Sequence, residues 1–259
     1  MRGVQSCDRQ PQILCARRGK ATVEIGWQIA LAVRAVVFDL DGTLVDFNLD
    51  YRKVRAEVLE LLSRQGLPRS VFSLRESIFK TLKKAEIYMK NHGRGEDDFQ
   101  RVKETVLSIA NRYEMEAARM TSPVPGVLEA LEVLRKMGLK MALYTVNDKG
   151  PTDYILKRFR LRCFFDAVVT RRSVPAVKPN AAHLEAVLRG LGVKSEEAVV
   201  VGDSVYDVRC ARGLDVTAVG VTTGISSPRE LAQAGATHLI SSLTELPALL
   251  KQFNGPLDT

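Results

Sequence analysis

Short apolar runs rich in β-branched residues recur along this chain, separated by helix-length amphipathic segments, and this alternation limits the fold more than any other feature. The first run, Val33-Arg34-Ala35-Val36-Val37-Phe38, suits a strand buried on both faces. Similar runs cover Lys140 to Thr145, Phe165 to Thr170, Ala198 to Asp203 and Thr217 to Gly220, with a weaker one at His238 to Ile240. The separators carry apolar residues at helical spacing: Val127, Leu128, Leu131 and Leu134, then Tyr154, Ile155 and Phe159, then Leu184, Val187, Leu188 and Leu191. Gly138, Gly192 and Gly213 stand where helix C-termini are expected. The pattern predicts an α/β fold, a Rossmann-like parallel sheet with right-handed crossovers and helices on both faces.

One stretch interrupts the alternation. Between residues 48 and 121 no strand pattern occurs, and three amphipathic segments follow one another. Val54, Val58, Leu61 and Leu62 stripe the first; Leu74, Ile78, Leu82, Ala85 and Met89 the second; Phe99, Val102, Val106, Ile109 and Tyr113 the third. Pro123 and Pro125 then stop helix continuation. The predicted organisation is a core over residues 33–47 and 122–259, with a small α-helical cap inserted over 48–121.

Residues 1–32 mix Gln, Arg, Cys and Pro without a period and are expected to form a poorly ordered tail. The basic stretch before Ile25, with Gln28 inside the apolar part, argues against a secretory leader, although Ala30-Leu31-Ala32 resembles a cleavage site. The formal charge is +8, and residues 1–34 hold six basic against two acidic residues. The field favours anionic substrates, while nucleic acid is not expected as a partner. The longest apolar stretch, Ile29 to Phe38, is broken by Arg34 and falls short of the roughly 20 residues a bilayer crossing needs. No membrane association is expected. Cys7, Cys15, Cys163 and Cys210 form neither a Cys-x-x-Cys pair nor a metal-ligand spacing, which fits a reducing, cytoplasmic setting.

Ligands of open parallel sheets bind beyond the carboxyl ends of the strands, so the residues there carry the functional argument. The first strand ends in Asp39-Leu40-Asp41-Gly42-Thr43-Leu44, the second in Thr145-Val146-Asn147, and the fourth in Gly202-Asp203-Ser204-Val205-Tyr206-Asp207; Lys178-Pro179 follows the third. Phosphoryl transfer requires an aligned nucleophile, charge neutralisation and usually a bridging metal. Asp39 is a candidate nucleophile and Asp41 a candidate acid and base. Asp39, Asp203 and the main-chain carbonyl of Asp41 suit Mg²⁺, with Ser204 and Asp207 in support. Gly42, Thr145, Val146, Asn147 and Lys178 are candidate phosphate binders. Two like charges ~4 Å apart at an effective dielectric of about 20 repel by ~4 kcal/mol, so a cation is expected among these acids. His183 and His238 are expected to be structural. In the insert, Arg52, Arg55, Lys83, Lys84, His92 and Arg94 mostly suit solvated helix faces, with a secondary reading as contacts to the non-phosphate end of a substrate. Asn91 to Gly95 is the candidate hinge or specificity element.

With these residues in view, the chain resembles a haloacid dehalogenase-type phosphatase of the subgroup with a helical cap after the first strand, over roughly Val33 to Lys251. The Asp-x-Asp-Gly-Thr-Leu motif is intact at Asp39 to Leu44, and Gly-Asp-Ser-x-x-Asp at Gly202 to Asp207; Thr145 and Lys178 match single-residue motifs between them. The resemblance implies Asp39 as nucleophile and metal ligand, Asp41 as acid and base, Thr145 and Lys178 as phosphate binders, and Asp203 as a metal ligand supported by Asp207. It implies a Mg²⁺-dependent phosphatase of a small phosphate ester, of the phosphoglycolate or sugar phosphate class, acting as a monomer or homodimer. A phosphoglucomutase-type phosphotransferase and a vestigial phosphate-binding regulator are the alternatives. The sequence departs from the family pattern at Thr145-Val146-Asn147, where Thr-Asn is commoner, and at Asn180-Ala181, where a second proline is usual.

Overall fold

In a computed structural model, residues 33–46 and 48–254 are described. Six strands, β1 (Ala35–Phe38), β2 (Lys140–Tyr144), β3 (Ala167–Val169), β4 (Ala198–Gly202), β5 (Thr217–Val221) and β6 (His238–Ile240), form one sheet in the order β3-β2-β1-β4-β5-β6. Every pairing is parallel, with Phe38 opposite Leu143 on one side and Val201 on the other. This is the expected Rossmann-like α/β architecture. From β1 the chain builds outward through β2 and β3, then returns to the other side of β1 with β4. The order therefore reverses at β1, and a crevice opens at the carboxyl ends of β1 and β4.

The strands read as apolar runs because both faces are covered. Val36, Phe38, Met141, Leu143, Val199 and Val201 point into one buried layer, closed by α4 (Val127–Lys136), α5 (Lys149–Arg158) and α9 (Leu246–Phe253). Ala35, Val37, Ala142, Tyr144, Ala198 and Val200 point into the other, closed by α6 (Ala181–Leu191), α7 (Val205–Arg212) and α8 (Pro228–Ala234). The alternation of neighbouring residues between layers is the two-residue period of a strand. Each fully buried Val or Leu contributes about 1.5–3 kcal/mol relative to exposure.

The stretch without strand signal forms α1 (Tyr51–Arg64), α2 (Ile78–Asn91) and α3 (Glu96–Met120). Asp50 accepts a hydrogen bond from the Lys53 N–H and Ser77 one from the Lys80 N–H, so local side chains start α1 and α2. Glu96, Asp97 and Asp98 place negative charge on the positive end of α3. Val54, Val58, Leu82, Met89, Val102 and Val106 give these helices a cluster of their own. The chain leaves and re-enters the sheet at one place: Asp46 N donates to Ser122 O at 2.8 Å, and Thr121 Oγ1 to Asp46 O at 2.8 Å.

Three side chains included in the apolar stripes lie outward. Leu74 precedes α2 in an irregular turn and is 43% exposed, while Leu128 and Tyr154 are 44% and 40% exposed on the outer faces of α4 and α5. Leu128 and Tyr154 thus sit beyond the buried faces of their helices, and Leu74 lies outside α2 altogether. The expected tail, residues 1–32, lies outside the described residues, as do Cys7 and Cys15. No helix among the described residues is long and apolar enough to cross a membrane.

Candidate active site

The loop after β1 is a tight turn in which Gly42 N donates to Val45 O at 2.7 Å and Leu44 N to Leu40 O at 2.8 Å. Gly42 has φ of 83°, and a Cβ there would lie 2.4 Å from Asp203 Oδ2. Glycine is required on both counts, conformation and space. The turn thus brings the first loop against the end of β4, where Asp203 Oδ2 accepts a hydrogen bond from the Ile225 N–H at 2.8 Å.

Lys178 joins the remaining segments. Its Nζ donates to Asp39 Oδ1 at 2.5 Å and to Asp207 Oδ1 at 2.7 Å, and it lies 4.1 Å from the centre of the Tyr144 ring. Asp207 is held in turn by Ser204, the N-cap of α7, whose Oγ donates to Asp207 Oδ2 at 2.5 Å. Carboxylate oxygens of Asp39, Asp203 and Asp207 lie within 4.8 Å of one another. Asp207, expected only in support, is a full member of this cluster. The Asp41 side chain is not a member; its Oδ2 accepts from Asn147 Nδ2 at 2.6 Å. Thr145 Oγ1 accepts from the Asn147 N–H at 3.1 Å, and Val146 lines the cavity beside them. His183 Nδ1 accepts from the Lys178 N–H at 3.2 Å, bracing the lysine loop from beneath.

The electrostatics follow from burying three acids around one ammonium. Burial, and then the neighbouring Asp207, push the Asp39 carboxyl well above the ordinary range; Lys178 only partly offsets them. Asp203 is pushed up to about 6 by burial and Asp207. Asp41 is pushed up to about 7 by burial, by Asp39 and by Glu114. Burial alone would lower Lys178, but Asp207 and Asp39 outweigh it and its pKa rises. Among the described residues, three carboxylates facing one ammonium leave a deficit of positive charge, and the donors are all hard oxygens. That donor set fits a divalent cation of the Mg²⁺ kind.

A second buried ionic cluster adjoins the first. Arg171 pairs with Glu114 of α3 and, at 3.2 Å, with Asp148; Arg172 Nε lies 2.9 Å from Asp148 Oδ2, and the Asp148 N–H donates to Glu114 Oε2 at 3.0 Å. The sequence reading missed this group. Its one local signal is Glu114, which falls between Ala110 and Ala118 on the buried face of α3. A cavity of about 140 Å³ opens beside both clusters, lined by Asp39, Asp41, Asp203, Lys178, Glu114 and Arg171, and on the α1 and α2 side by Arg55, Val54, Ile78 and Phe79.

An acid-rich cluster at the switch point of an open, doubly wound parallel sheet defines the class: α/β enzymes that work from the carboxyl edge of the sheet. The particular family follows from comparison. The model of the haloacid dehalogenase-like hydrolases matches residues 36–221, and the chain belongs to that family. It is similar to phosphoglycolate phosphatase 1 of Pseudomonas aeruginosa, with 29% identity over 82% of this chain and 78% of the relative. It is also similar to a pyrophosphatase of Halalkalibacterium halodurans, with 26% identity over 83% of this chain and 96% of that one. The crystal structure of a hydrolase from Pseudomonas syringae shares the fold, with a TM-score of 0.60 at 24% identity over 85% of this chain and 99% of that chain.

Proposed function

We propose that this chain is a Mg²⁺-dependent phosphatase that hydrolyses a small phosphate monoester, of the phosphoglycolate or sugar phosphate class, through a phospho-aspartate on Asp39. One observation carries the reading. The Lys178 ammonium touches both Asp39 and Asp207 while Asp203 converges on the same point, which makes an anion cluster in need of a cation beside an open cavity. The similarity to curated phosphatases supports the same chemistry.

In this reading Asp39, Asp203 and the Asp41 main-chain carbonyl would hold the metal, with Asp207, which shares their cluster, beside them and Ser204 in support. Mg²⁺, when bound, supplies charge neutralisation on the phosphoryl oxygens. A carboxylate oxygen of Asp39 attacks phosphorus as the bond from phosphorus to the leaving oxygen breaks, and Asp41 delivers a proton to that oxygen. Asp41 then takes a proton from the water that attacks the phospho-aspartate, so inorganic phosphate leaves and Asp39 is restored. A carboxyl poised at about 7 is suited to both transfers near neutral pH. Asn147 aims Asp41 through the 2.6 Å hydrogen bond. Lys178, Thr145, Val146, Asn147 and the Gly42 turn receive the phosphoryl oxygens.

Helices α1 to α3 act as a cap that shields the cavity from water; the loop Asn91 to Gly95 joins α2 to α3 inside that cap rather than the cap to the sheet. A volume of about 140 Å³ suits a small metabolite rather than a macromolecule. The proposed setting is the cytoplasm, with the chain acting as a monomer or homodimer and without membrane or nucleic-acid partners. The test is phosphate release from p-nitrophenyl phosphate, phosphoglycolate and sugar phosphates. EDTA is expected to stop turnover and Mg²⁺ to restore it. Turnover that survives chelation, or no phosphate release from any ester, overturns the proposal.

A further inference from the structure

Among the described residues three cationic side chains line the cavity, and they differ in what neutralises them. Lys178 is paired with Asp39 and Asp207, and Arg171 with Glu114 and Asp148. Arg55 of α1 has no carboxylate partner among the described residues: its NH1 donates to the Leu74 carbonyl at 3.2 Å, its guanidinium lies 5.3 Å from the centre of the Tyr51 ring, and its Nε is buried without a hydrogen-bond partner. Of the basic residues Arg52, Arg55, Lys83, Lys84, His92 and Arg94, Arg55 alone lines this cavity. The same cavity is lined by Leu49, Val54, Ile78, Phe79 and Leu107, apolar side chains that strengthen any charge–charge contact made within it.

A buried N–H without an acceptor is costly, and a guanidinium offers a planar fork matched to an oxyanion. We infer that Arg55 is a specificity-determining residue that receives a second oxyanion, a carboxylate or phosphate carried by the leaving group of the ester. The inference rests on the phosphatase reading and narrows it. The cluster around Asp39 and Lys178 takes the phosphoryl group, and Arg55, which lines the same cavity from α1, takes the other anionic end. The preferred substrate is then a short ester with an anion at each end, and a phosphate ester of similar length whose other end is neutral lacks half of the recognition.

The experiment measures kcat/KM for phosphoglycolate, ethylene glycol bisphosphate and the singly anionic-ended ethyl phosphate, in Mg²⁺, for the wild type, Arg55→Gln and Arg55→Lys. The wild type is expected to prefer at least one doubly anionic ester to ethyl phosphate, and the better of the two identifies the second group. Arg55→Gln is expected to lower that preference about 10- to 100-fold, mainly through KM, because hydrogen bonds to a charged group are lost. Arg55→Lys is expected to recover part of it, and circular dichroism to match the wild type for both. A wild type that hydrolyses all three esters equally, or an Arg55→Gln protein that loses activity on all three in proportion, overturns the role of Arg55 while leaving the phosphatase reading intact. An enzyme inert toward every ester overturns both.

Discussion

The two buried ionic clusters differ in charge balance although they lie side by side. Around Lys178, Asp39, Asp203 and Asp207 face a single ammonium. Around Arg171, two acids, Glu114 and Asp148, face two guanidinium groups, one of them on the exposed Arg172. A balanced buried network is a brace: its charges offset one another, although Arg171 Nε has no hydrogen-bond partner, and it ties α3 to the loops that follow β2 and β3. An unbalanced one stores repulsion that a bound cation relieves, and that imbalance marks a functional site. Burial and bonding alone do not tell the clusters apart; the charge count does.

The largest effect expected to sharpen this contrast comes from Asp39→Asn. Phosphate release is expected to fall by about 10⁴ or more, as for loss of a nucleophile elsewhere. In metal-free buffer the melting temperature is expected to hold or rise, since one of three mutually repelling carboxylates has lost its charge. A variant that both unfolds and retains turnover would break the comparison. The brace is expected to behave in the opposite way. Arg171→Leu leaves Glu114 and Asp148 without their buried partner and is expected to cost about 3–5 kcal/mol in urea unfolding. A loss under about 1 kcal/mol would show that this cluster does not hold the helices to the sheet.

The smallest effect concerns His183, which lies under Lys178 and faces the charges of Lys178 and Asp207. Burial, then the Lys178 ammonium, hold its pKa down at about 3 from an ordinary 6.5. Between those values the unfolded chain binds a proton that the native imidazole refuses, so stability falls as pH drops through this window. From pH 7 to 5.5 the wild type is expected to lose about 1 kcal/mol more than His183→Gln in parallel urea titrations. Equal losses would mean that the imidazole charges freely in the folded protein.

The sheet was legible because each strand is a contiguous apolar run, and a run buried on both faces needs no partner to declare itself. β1, β4 and β5 illustrate this. The helical stripes were legible only approximately, because periodicity gives a face but not its edge: Leu74 in the insert and Leu128 and Tyr154 in the core sit at or beyond that edge. Asp39 to Gly42 and Asp203 to Asp207 were legible as motifs since their spacing is local. Glu114, Arg171 and Asp148 were not, as nothing in a one-dimensional pattern pairs a helix acid with an arginine 57 positions away.

The sequence by itself determined the strand–helix alternation, the interruption by three helices, the membership of the family and which acids stand at strand ends, all of them properties of spacing along one chain. Only the tertiary structure decided that Asp207 joins Asp39 and Asp203, that Asn147 rather than the metal cluster takes the Asp41 side chain, and that Arg55 alone among the basic residues of the insert reaches the cavity. Those outcomes depend on distances between atoms more than a hundred residues apart in places, and on which charges burial leaves without a partner. Both are fixed when the layers pack, not before.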